Sequence, residues 1–306
     1  MITYIYMMIL LELYRNSFIG TINYMEHMER KANQFSHVLF DLDGTLTDPA
    51  LGITNSVMYA LKSFGIEVTD RTSLYKFIGP PLLDSFHDFY GFDAEKSRLA
   101  MKKYREYYVG EANVRESINA GHATNDAEAK SAGEATGASR ATSAGEATGA
   151  GRATSIAEAT DASRVPDNIP GIFQNTVYEG LVPLLERLRA SGRKLYIATS
   201  KPEVYAKQIL DHFDLSRYFE FCGGSDIEET RVKKAEIISY VIETCGLQKD
   251  TCIMVGDREH DVIGAKANDI PCIGVLYGFG SEAELTKAGA SYLAKTPADV
   301  GKVILG

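Results

Sequence analysis

The sequence has little positive charge, and this shortage narrows the functions that the protein can have. Its 32 lysines and arginines are outnumbered by 41 aspartates and glutamates, which gives a formal net charge of -9 and an isoelectric point of about 5.3. Such an acidic balance argues against a nucleic-acid-binding surface. If the substrate is an anion, a metal ion or a few well-placed cations must supply positive charge locally.

Cysteine is also scarce, and the spacing of the four cysteines excludes the usual zinc and redox motifs. No two of them form a C-x-x-C pair, and no histidine lies at zinc-ligand spacing from them. Cys222, Cys252 and Cys272 lie in apolar, strand-like runs, where a thiol behaves as a small hydrophobic side chain. Reduced, structural cysteines are typical of a cytoplasmic protein.

Apolar runs long enough for a membrane helix are missing as well. The amino-terminal run from Ile2 to Leu11 ends at Glu12, far short of the ~20 residues that a membrane helix needs. It lacks a basic flank and a small-residue cleavage site, so we expect neither secretion nor a membrane partner. Met25 and Met28 are possible later starts, and residues 1–34 are interpreted as a leader of unknown status.

The apolar pattern of the remaining chain predicts an α/β fold. A first strand covers 36–40, and then the apolar spacing becomes helical in two blocks, 53–64 and 94–108. From Val177 onwards short apolar strands alternate with helices. Such alternation is typical of a parallel sheet flanked by helices on both faces.

A low-complexity tract interrupts the helical part of the chain. A 12-residue unit begins at Ser131, Ser143 and Ser155, and a degenerate copy begins at Asn119. The tract has almost no large apolar side chains, so it cannot bury enough surface to offset the entropy of ordering. We interpret about 113–168 as a disordered insertion without a catalytic role; the alternative is an interaction tract for which nothing indicates a partner.

Two aspartates directly follow the first strand. Because side chains alternate along a strand, Asp41 and Asp43 face the same way and Leu42 faces the opposite side. Carboxylates this close repel each other unless a cation or a shared proton offsets the repulsion. Gly44 then permits a turn, although a solvated turn with two aspartates is the alternative interpretation.

A second acidic pair follows the strand at 252–255. Asp257 lies at the carboxyl end of that strand, and Asp261 either joins it or caps the first turn of a helix. Ligands of parallel sheets bind at the carboxyl ends of the strands. The two acidic strand ends together indicate a site for a hard cation, and Mg²⁺ fits because it prefers oxygen ligands.

Hydroxyl and ammonium groups lie between these acidic pairs in the sequence. Thr199 and Ser200 end a strand, and Lys233 and Lys234 begin a helix. A hydroxyl near a helix amide suits a phosphate oxygen, and a lysine can reach the same phosphate. Taken alone, the Thr-Ser pair is typical of a turn and the lysine pair of a solvated helix face. The order of these segments along the chain, together with the two acidic pairs, is unusual and favours a functional site.

In this order, the segments DLDGT, ATS, KK and GDREHD resemble the four motifs of the haloacid dehalogenase-like superfamily. The resemblance covers Phe35 to Gly306 apart from the repeat tract. More narrowly, IGPPL, YEGL, ATSKPE and GDREHDVIGAKAN are similar to the phosphoglycolate phosphatase and 5′-nucleotidase branch. The resemblance implies a Rossmann-like core of 35–50 and 178–306, with a helical cap of 51–177 inserted into it.

The family pattern implies a role for each matching residue. Asp41 would be the nucleophile that forms an aspartyl-phosphate, and Asp43 the general acid and base. The phosphate-binding residues implied are Thr45, Thr199, Ser200 and Lys234, with Lys233 as the rival of Lys234. The magnesium site implied consists of Asp41, the backbone carbonyl of Asp43, Asp257 and Asp261, the last orienting the site from behind.

The resemblance therefore implies a magnesium-dependent phosphatase of a small phosphorylated metabolite, either a nucleoside monophosphate or phosphoglycolate. A sugar phosphomutase of the same superfamily and a catalytically silent partner-binding protein stay open as alternatives. A dehalogenase is disfavoured, because that branch lacks the second aspartate, here Asp43. We expect substrate selection by the loop at 78–82, and nearly unchanged activity when 113–168 is deleted.

Overall fold

The computed structural model describes residues 34–110, 169–226 and 231–306. The predicted repeat insertion at 113–168 lies outside these residues, as does all but the last residue of the predicted leader. Among the helices in the described ranges, none has the length and apolar character needed to cross a membrane.

A six-stranded sheet forms the centre of the protein. The strands described are β1 (His37–Phe40), β2 (Thr47–Asp48), β3 (Thr176–Val177), β4 (Lys194–Pro202), β5 (Phe219–Ser225), β6 (Cys252–Gly256), β7 (Cys272–Val275) and β8 (Tyr292–Ala294). Six of them form one parallel sheet in the order β5-β4-β1-β6-β7-β8. This arrangement confirms the predicted α/β fold with a parallel sheet.

Helices cover both faces of this sheet. The helices described are α1 (Ala50–Lys62), α2 (Leu82–Tyr90), α3 (Ala94–Tyr108), α4 (Leu181–Ala190), α5 (Glu203–His212), α6 (Lys234–Cys245), α7 (Glu259–Ala267), α8 (Glu282–Ala288) and α9 (Pro297–Leu305). Along β1, Val38 and Phe40 join one apolar cluster with α4 and α9, whereas Leu39 joins a second cluster with α6 and α7. The period of two along the strand therefore produces two apolar cores, one on each face.

The helical segment lies between β2 and β3; we use this name for residues 50–110 and 169–175. It contains α1, α2, α3 and two 3₁₀ helices, Arg71–Phe77 and Gly171–Phe173. β2 and β3 pair antiparallel, with Thr47 opposite Val177, so the chain leaves and re-enters the core through one short ribbon. The exact extent of a separate cap domain, 51–177, stays a prediction.

Candidate active site

The carboxyl end of β1 places Asp41 at the middle of the sheet edge. The amide of Asp41 donates to the carbonyl of Val255 at 2.9 Å, and the amide of Leu42 donates to Asp41 Oδ1 at 2.8 Å. The turn that follows needs glycine, because Gly44 has a φ of +81° and a Cβ there would lie 2.2 Å from Asp257 Oδ2. The glycine thus lets the loop after β1, which carries Asp41, approach the loop after β6, which carries Asp257.

Three aspartates form a buried acidic cluster, which we define as Asp41, Asp257 and Asp261. A carboxylate oxygen of each lies within 4.8 Å of one from each of the others. Burial, and then the neighbouring carboxylates of Asp261 and Asp41, raise the pKa of Asp257 well above its usual range. Burial likewise raises the pKa of Asp261 to about 6, although Lys234 opposes the shift. The cluster thus carries a charge repulsion that a cation would relieve.

Lys234 supplies one positive charge to this cluster. Its ammonium nitrogen lies 2.8 Å from Asp41 Oδ1 and 2.9 Å from Asp261 Oδ1, and it donates to the carbonyl of Ala198 at 3.1 Å. Burial lowers the pKa of this lysine, but the two carboxylates outweigh burial and raise it. The three carboxyl groups share this one ammonium, and three buried oxygen ligands suit a divalent cation such as Mg²⁺.

The rival lysine, Lys233, lies outside the site. Its side chain is exposed, and its amide donates to Glu236 Oε2 at 3.4 Å at the start of α6. The structure therefore separates two neighbours that the sequence left as alternatives. The role of Lys234 in binding phosphate stays a prediction.

Asp261 combines the two roles that the sequence offered for it. Its Oδ2 accepts a hydrogen bond of 3.0 Å from the amide of Arg258 at the start of α7, as a capping residue does. Its Oδ1 contacts Lys234. Asp257 is fixed differently, because its Oδ2 accepts a hydrogen bond of 2.8 Å from the amide of Phe279 in the loop after β7.

The predicted phosphate-binding residues fall into two groups. Thr199 and Ser200, in β4, line a cavity beside Asp41. Thr45 is fully buried and points instead towards Asp257, with its hydroxyl 3.4 Å from Asp257 Oδ1. The predicted phosphate contact of Thr45 therefore stays a prediction, and the contact that the structure shows supports the acidic cluster.

Asp43 does not join the acidic cluster through its carboxylate. Its Oδ2 lies 2.8 Å from the ammonium nitrogen of Lys201, at the end of β4. Its Oδ1 is buried and has no hydrogen-bond partner within the described ranges. Burial raises the pKa of Asp43, although the charge of Lys201 opposes the shift. One oxygen of Asp43 is thus held, and the other is available to a ligand.

The cavity lies between the sheet edge and the helical segment and has a volume of about 110 Å³. Asp41, Asp43, Thr199 and Ser200 line it from the core. The helical segment contributes apolar side chains and some polar ones, including Ile53, Phe77, Leu82, Met101, Arg105 and Tyr108. The loop nominated for substrate selection contributes Gly79, Pro80 and Pro81 to the wall, as well as Leu82.

Three residues of this site were missed by the sequence reasoning. Lys201 belongs to the segment ATSKPE, and its position directly after Thr199 and Ser200 is a signal in the sequence that identifies it as a candidate. Tyr108, which accepts a hydrogen bond from Lys201, and Phe279 carry no such signal. They reach the site only through the packing of distant segments.

Known proteins resemble this chain over most of its length. A 5′-nucleotidase from Pseudomonas aeruginosa is 36% identical over 84% of this chain and 90% of its own length. A protein named tyrosine-protein kinase PtkA from Mycobacterium tuberculosis is 29% identical over 79% of this chain and 62% of its own length. Over a shorter stretch, 34% of this chain, a phosphoglycolate phosphatase from Pseudomonas aeruginosa is 31% identical.

A solved structure and a family model also resemble this chain over most of its length. The crystal structure of a predicted phosphatase from Clostridium acetobutylicum matches with a TM-score of 0.67 and 39% identity, covering 89% of this chain and 98% of that one. The model of the haloacid dehalogenase-like hydrolases matches residues 35–269. With the four motifs gathered at one sheet edge, the chain belongs to the haloacid dehalogenase-like hydrolase family.

Proposed function

We propose that this protein is a magnesium-dependent phosphatase that hydrolyses small phosphate monoesters through an aspartyl-phosphate on Asp41. The observation that carries the proposal is the position of Asp41, which lines the cavity and also belongs to the acidic cluster. A nucleophile in this place has a cation site on one side and room for an ester on the other. Asp43 faces the same cavity from two residues away.

The reaction follows from the two aspartates. A carboxylate oxygen of Asp41 attacks phosphorus, and the bond from phosphorus to the leaving oxygen breaks. Asp43 gives a proton to that oxygen and later takes one from the water that hydrolyses the aspartyl-phosphate. Phosphate then leaves, and both carboxyl groups return to their initial states. Thr199 and Ser200 are positioned to bind the phosphoryl oxygens, and Lys234 holds Asp41 in place.

Magnesium would be held by Asp41, Asp257 and Asp261, with the backbone carbonyl of Asp43 as the further ligand that the family pattern implies. The cation would neutralise the charge of the phosphoryl group, which three buried carboxylates would otherwise repel. Burial, the largest cause of the raised pKa values of Asp257 and Asp261, and the neighbouring carboxylates disfavour the charged forms of both groups, and a bound cation would offset these effects.

The volume of the cavity favours an ester with a small leaving group. A cavity of about 150 Å³ holds one benzene molecule, so the space here suits a short hydroxyacid or a similar alcohol in ester linkage. A nucleoside is larger than this space and would extend out of the cavity through its open side. We therefore place phosphoglycolate-like esters first and nucleoside monophosphates, which the name of one relative suggests, second.

The test is phosphate release from a panel of esters that includes phosphoglycolate, nucleoside monophosphates and 4-nitrophenyl phosphate. We expect wild-type protein to release phosphate with Mg²⁺ and to lose activity in EDTA. The Asp41→Asn variant should be at least about 10³-fold slower, because an amide cannot form the covalent intermediate. Thermal unfolding with and without Mg²⁺ checks folding and binding separately from turnover, since a ligand of the native state raises stability.

Four results would contradict the proposal. Undiminished turnover in EDTA would exclude the metal role, and equal activity of Asp41→Asn would exclude the nucleophile. Isomerisation of a sugar phosphate without release of free phosphate would instead indicate the phosphomutase. If folded wild-type protein, stabilised by Mg²⁺, released nothing from any ester, the catalytically silent alternative would be favoured.

A further inference from the structure

Lys201 connects the core to the helical segment through two short contacts. Its ammonium nitrogen lies 2.8 Å from Asp43 Oδ2 and donates to the hydroxyl oxygen of Tyr108 at 2.6 Å. The lysine side chain is only 6% exposed, so water does not screen these contacts much.

The three residues come from three separate parts of the fold. Asp43 follows β1, Lys201 belongs to β4, and Tyr108 is the last residue of α3 in the helical segment. Burial raises the pKa of Tyr108 well above its usual range, so its hydroxyl stays protonated. The hydroxyl oxygen can then accept a hydrogen bond from the Lys201 ammonium. The contact therefore exists only while the helical segment packs against the sheet edge as it does here.

The two oxygens of Asp43 are consequently not equivalent. Oδ2 is occupied by Lys201, whereas Oδ1 is buried without a hydrogen-bond partner among the described residues, in a side chain that lines the cavity. A buried, unpartnered carboxylate oxygen is costly unless a ligand uses it. Fixing Oδ2 sets the rotation of the carboxylate and hence the direction of Oδ1.

We propose that Lys201 is a positioning residue for Asp43, and that Tyr108 aligns Lys201, so that Asp43 Oδ1 meets the leaving oxygen of the ester when the helical segment is docked. The inference rests on the proposed function, in which Asp43 protonates that oxygen. The proton moves from Asp43 Oδ1 to the leaving oxygen as its bond to phosphorus breaks. Lys201 and Tyr108 keep their protons throughout, and they act through Asp43 alone.

A positioning role has a consequence that a purely structural role lacks: its effect depends on the leaving group. An alkoxide is a poor leaving group and needs the proton, whereas 4-nitrophenolate is stable as an anion and leaves without it. General acid catalysis contributes about 10²–10⁴-fold, and a displacement of about 1 Å can cost about 10²-fold. Misalignment of Asp43 should therefore slow alkyl esters selectively.

The experiment compares kcat/KM for the best alkyl phosphate of the panel with kcat/KM for 4-nitrophenyl phosphate. This parameter covers only the steps up to departure of the leaving group, so the later role of Asp43 as a base does not enter it. For Tyr108→Phe and Lys201→Met we expect losses of about 10- to 100-fold with the alkyl ester and of less than about threefold with the aryl ester.

Tyr107→Phe is the matched control. Tyr107 lies next to Tyr108 on α3, and its hydroxyl accepts a hydrogen bond of 3.3 Å from Gln174, away from Asp43. The control loses the same atom from the same helix and should keep the wild-type ratio of the two kcat/KM values. Thermal unfolding midpoints verify that the variants are folded, and Tyr108→Phe tests the inference by itself if Lys201→Met is unstable.

The possible failures are distinguishable. If wild-type protein cleaves both esters but Tyr108→Phe lowers both equally, or changes neither, the inference is wrong and the proposed function stands. If wild-type protein cleaves no ester, the proposed function fails and the inference fails with it. A selective loss with the alkyl ester in Tyr108→Phe, absent in Tyr107→Phe, supports the inference.

Discussion

At the residue scale, Lys234 is the side chain on which the acidic cluster depends most. Its buried ammonium contacts Asp41 and Asp261 and reaches the carbonyl of Ala198, so it links β1, β4 and α7. Removing one partner of a buried ion pair leaves the other charges without compensation. Here the uncompensated charges would be carboxylates that already repel one another.

Lys234→Met is expected to impair both stability and turnover. In EDTA the free energy of unfolding should fall by about 3–5 kcal/mol, because buried carboxylates lose their counter-charge. In Mg²⁺, kcat/KM should fall by at least about 10²-fold, the typical cost of removing one group that stabilises charge in the transition state. Denaturant unfolding and steady-state kinetics measure the two effects.

Lys233→Met is the matched control for this prediction. The residue is adjacent in sequence but exposed, so its replacement should change the free energy of unfolding by less than about 0.5 kcal/mol. Equal effects of the two substitutions would contradict the assignment of Lys234 to the cluster.

At the scale of elements, the loop at 78–82 is tied to the core by Arg258. The Arg258 guanidinium donates to the carbonyl of Ile78 at 2.5 Å and pairs with Glu284 of α8 at 2.9 Å. Gly79 packs against this arginine. Its φ is +104°, and a Cβ at this position would lie only 3.2 Å from Arg258 Cγ. One side chain next to the acidic cluster thus fixes a wall of the cavity.

Arg258→Met should therefore loosen the cavity wall and raise KM more than it lowers kcat. A hydrogen bond to a charged group contributes about 1.5–3 kcal/mol, which corresponds to a loss in kcat/KM of about 10- to 100-fold. Steady-state kinetics with the preferred ester measures the change.

Arg217→Met provides the comparison for Arg258→Met. Arg217 pairs with Asp214 at the surface, where both side chains are more than half exposed, and such pairs contribute about 0–1 kcal/mol. It should leave kcat and KM close to the wild-type values. An unchanged KM in Arg258→Met would mean that the loop keeps its position without the arginine.

At the scale of the whole molecule, the described residues on either side of the repeat tract lie close together. A Cβ on Gly110 would lie 2.8 Å from the Pro170 ring, so α3 ends beside the start of the 3₁₀ helix Gly171–Phe173. The chain could therefore pass from one to the other through a short connection. This proximity supports the expectation that the tract is an addition to a complete fold.

Deletion of 113–168 should leave the enzyme folded and active. We expect kcat/KM within about threefold of the full chain, because the catalytic residues and the contacts of Tyr108 lie in the retained residues. Shortening the connecting segment lowers the entropy cost of bringing its ends together, so the free energy of unfolding should not fall. Turnover and denaturant unfolding of both proteins test this, and a loss of soluble protein or of activity would contradict it.

Much of the fold and part of the site could be predicted from local sequence. The helix at 94–108 has a helical apolar spacing and the strand at 252–255 is a short continuous apolar run, and the structure has α3 at Ala94–Tyr108 and β6 at Cys252–Gly256. β2, β3 and β8 were not predicted, because strands of two or three residues contain too few positions to show a period. Their formation depends on partners that are distant in the chain.

The sequence by itself determined the parallel α/β sheet, the family, and the acidic residues at the ends of β1 and β6, because the alternation of apolar runs with helical patterns and the order of the motifs are properties of local sequence. Only the tertiary structure decided that Lys234 rather than Lys233 enters the cluster, that Thr45 turns to Asp257, and that Lys201 joins Asp43 to Tyr108. Such contacts depend on which side chains distant segments bring together during packing, and no local pattern encodes that geometry.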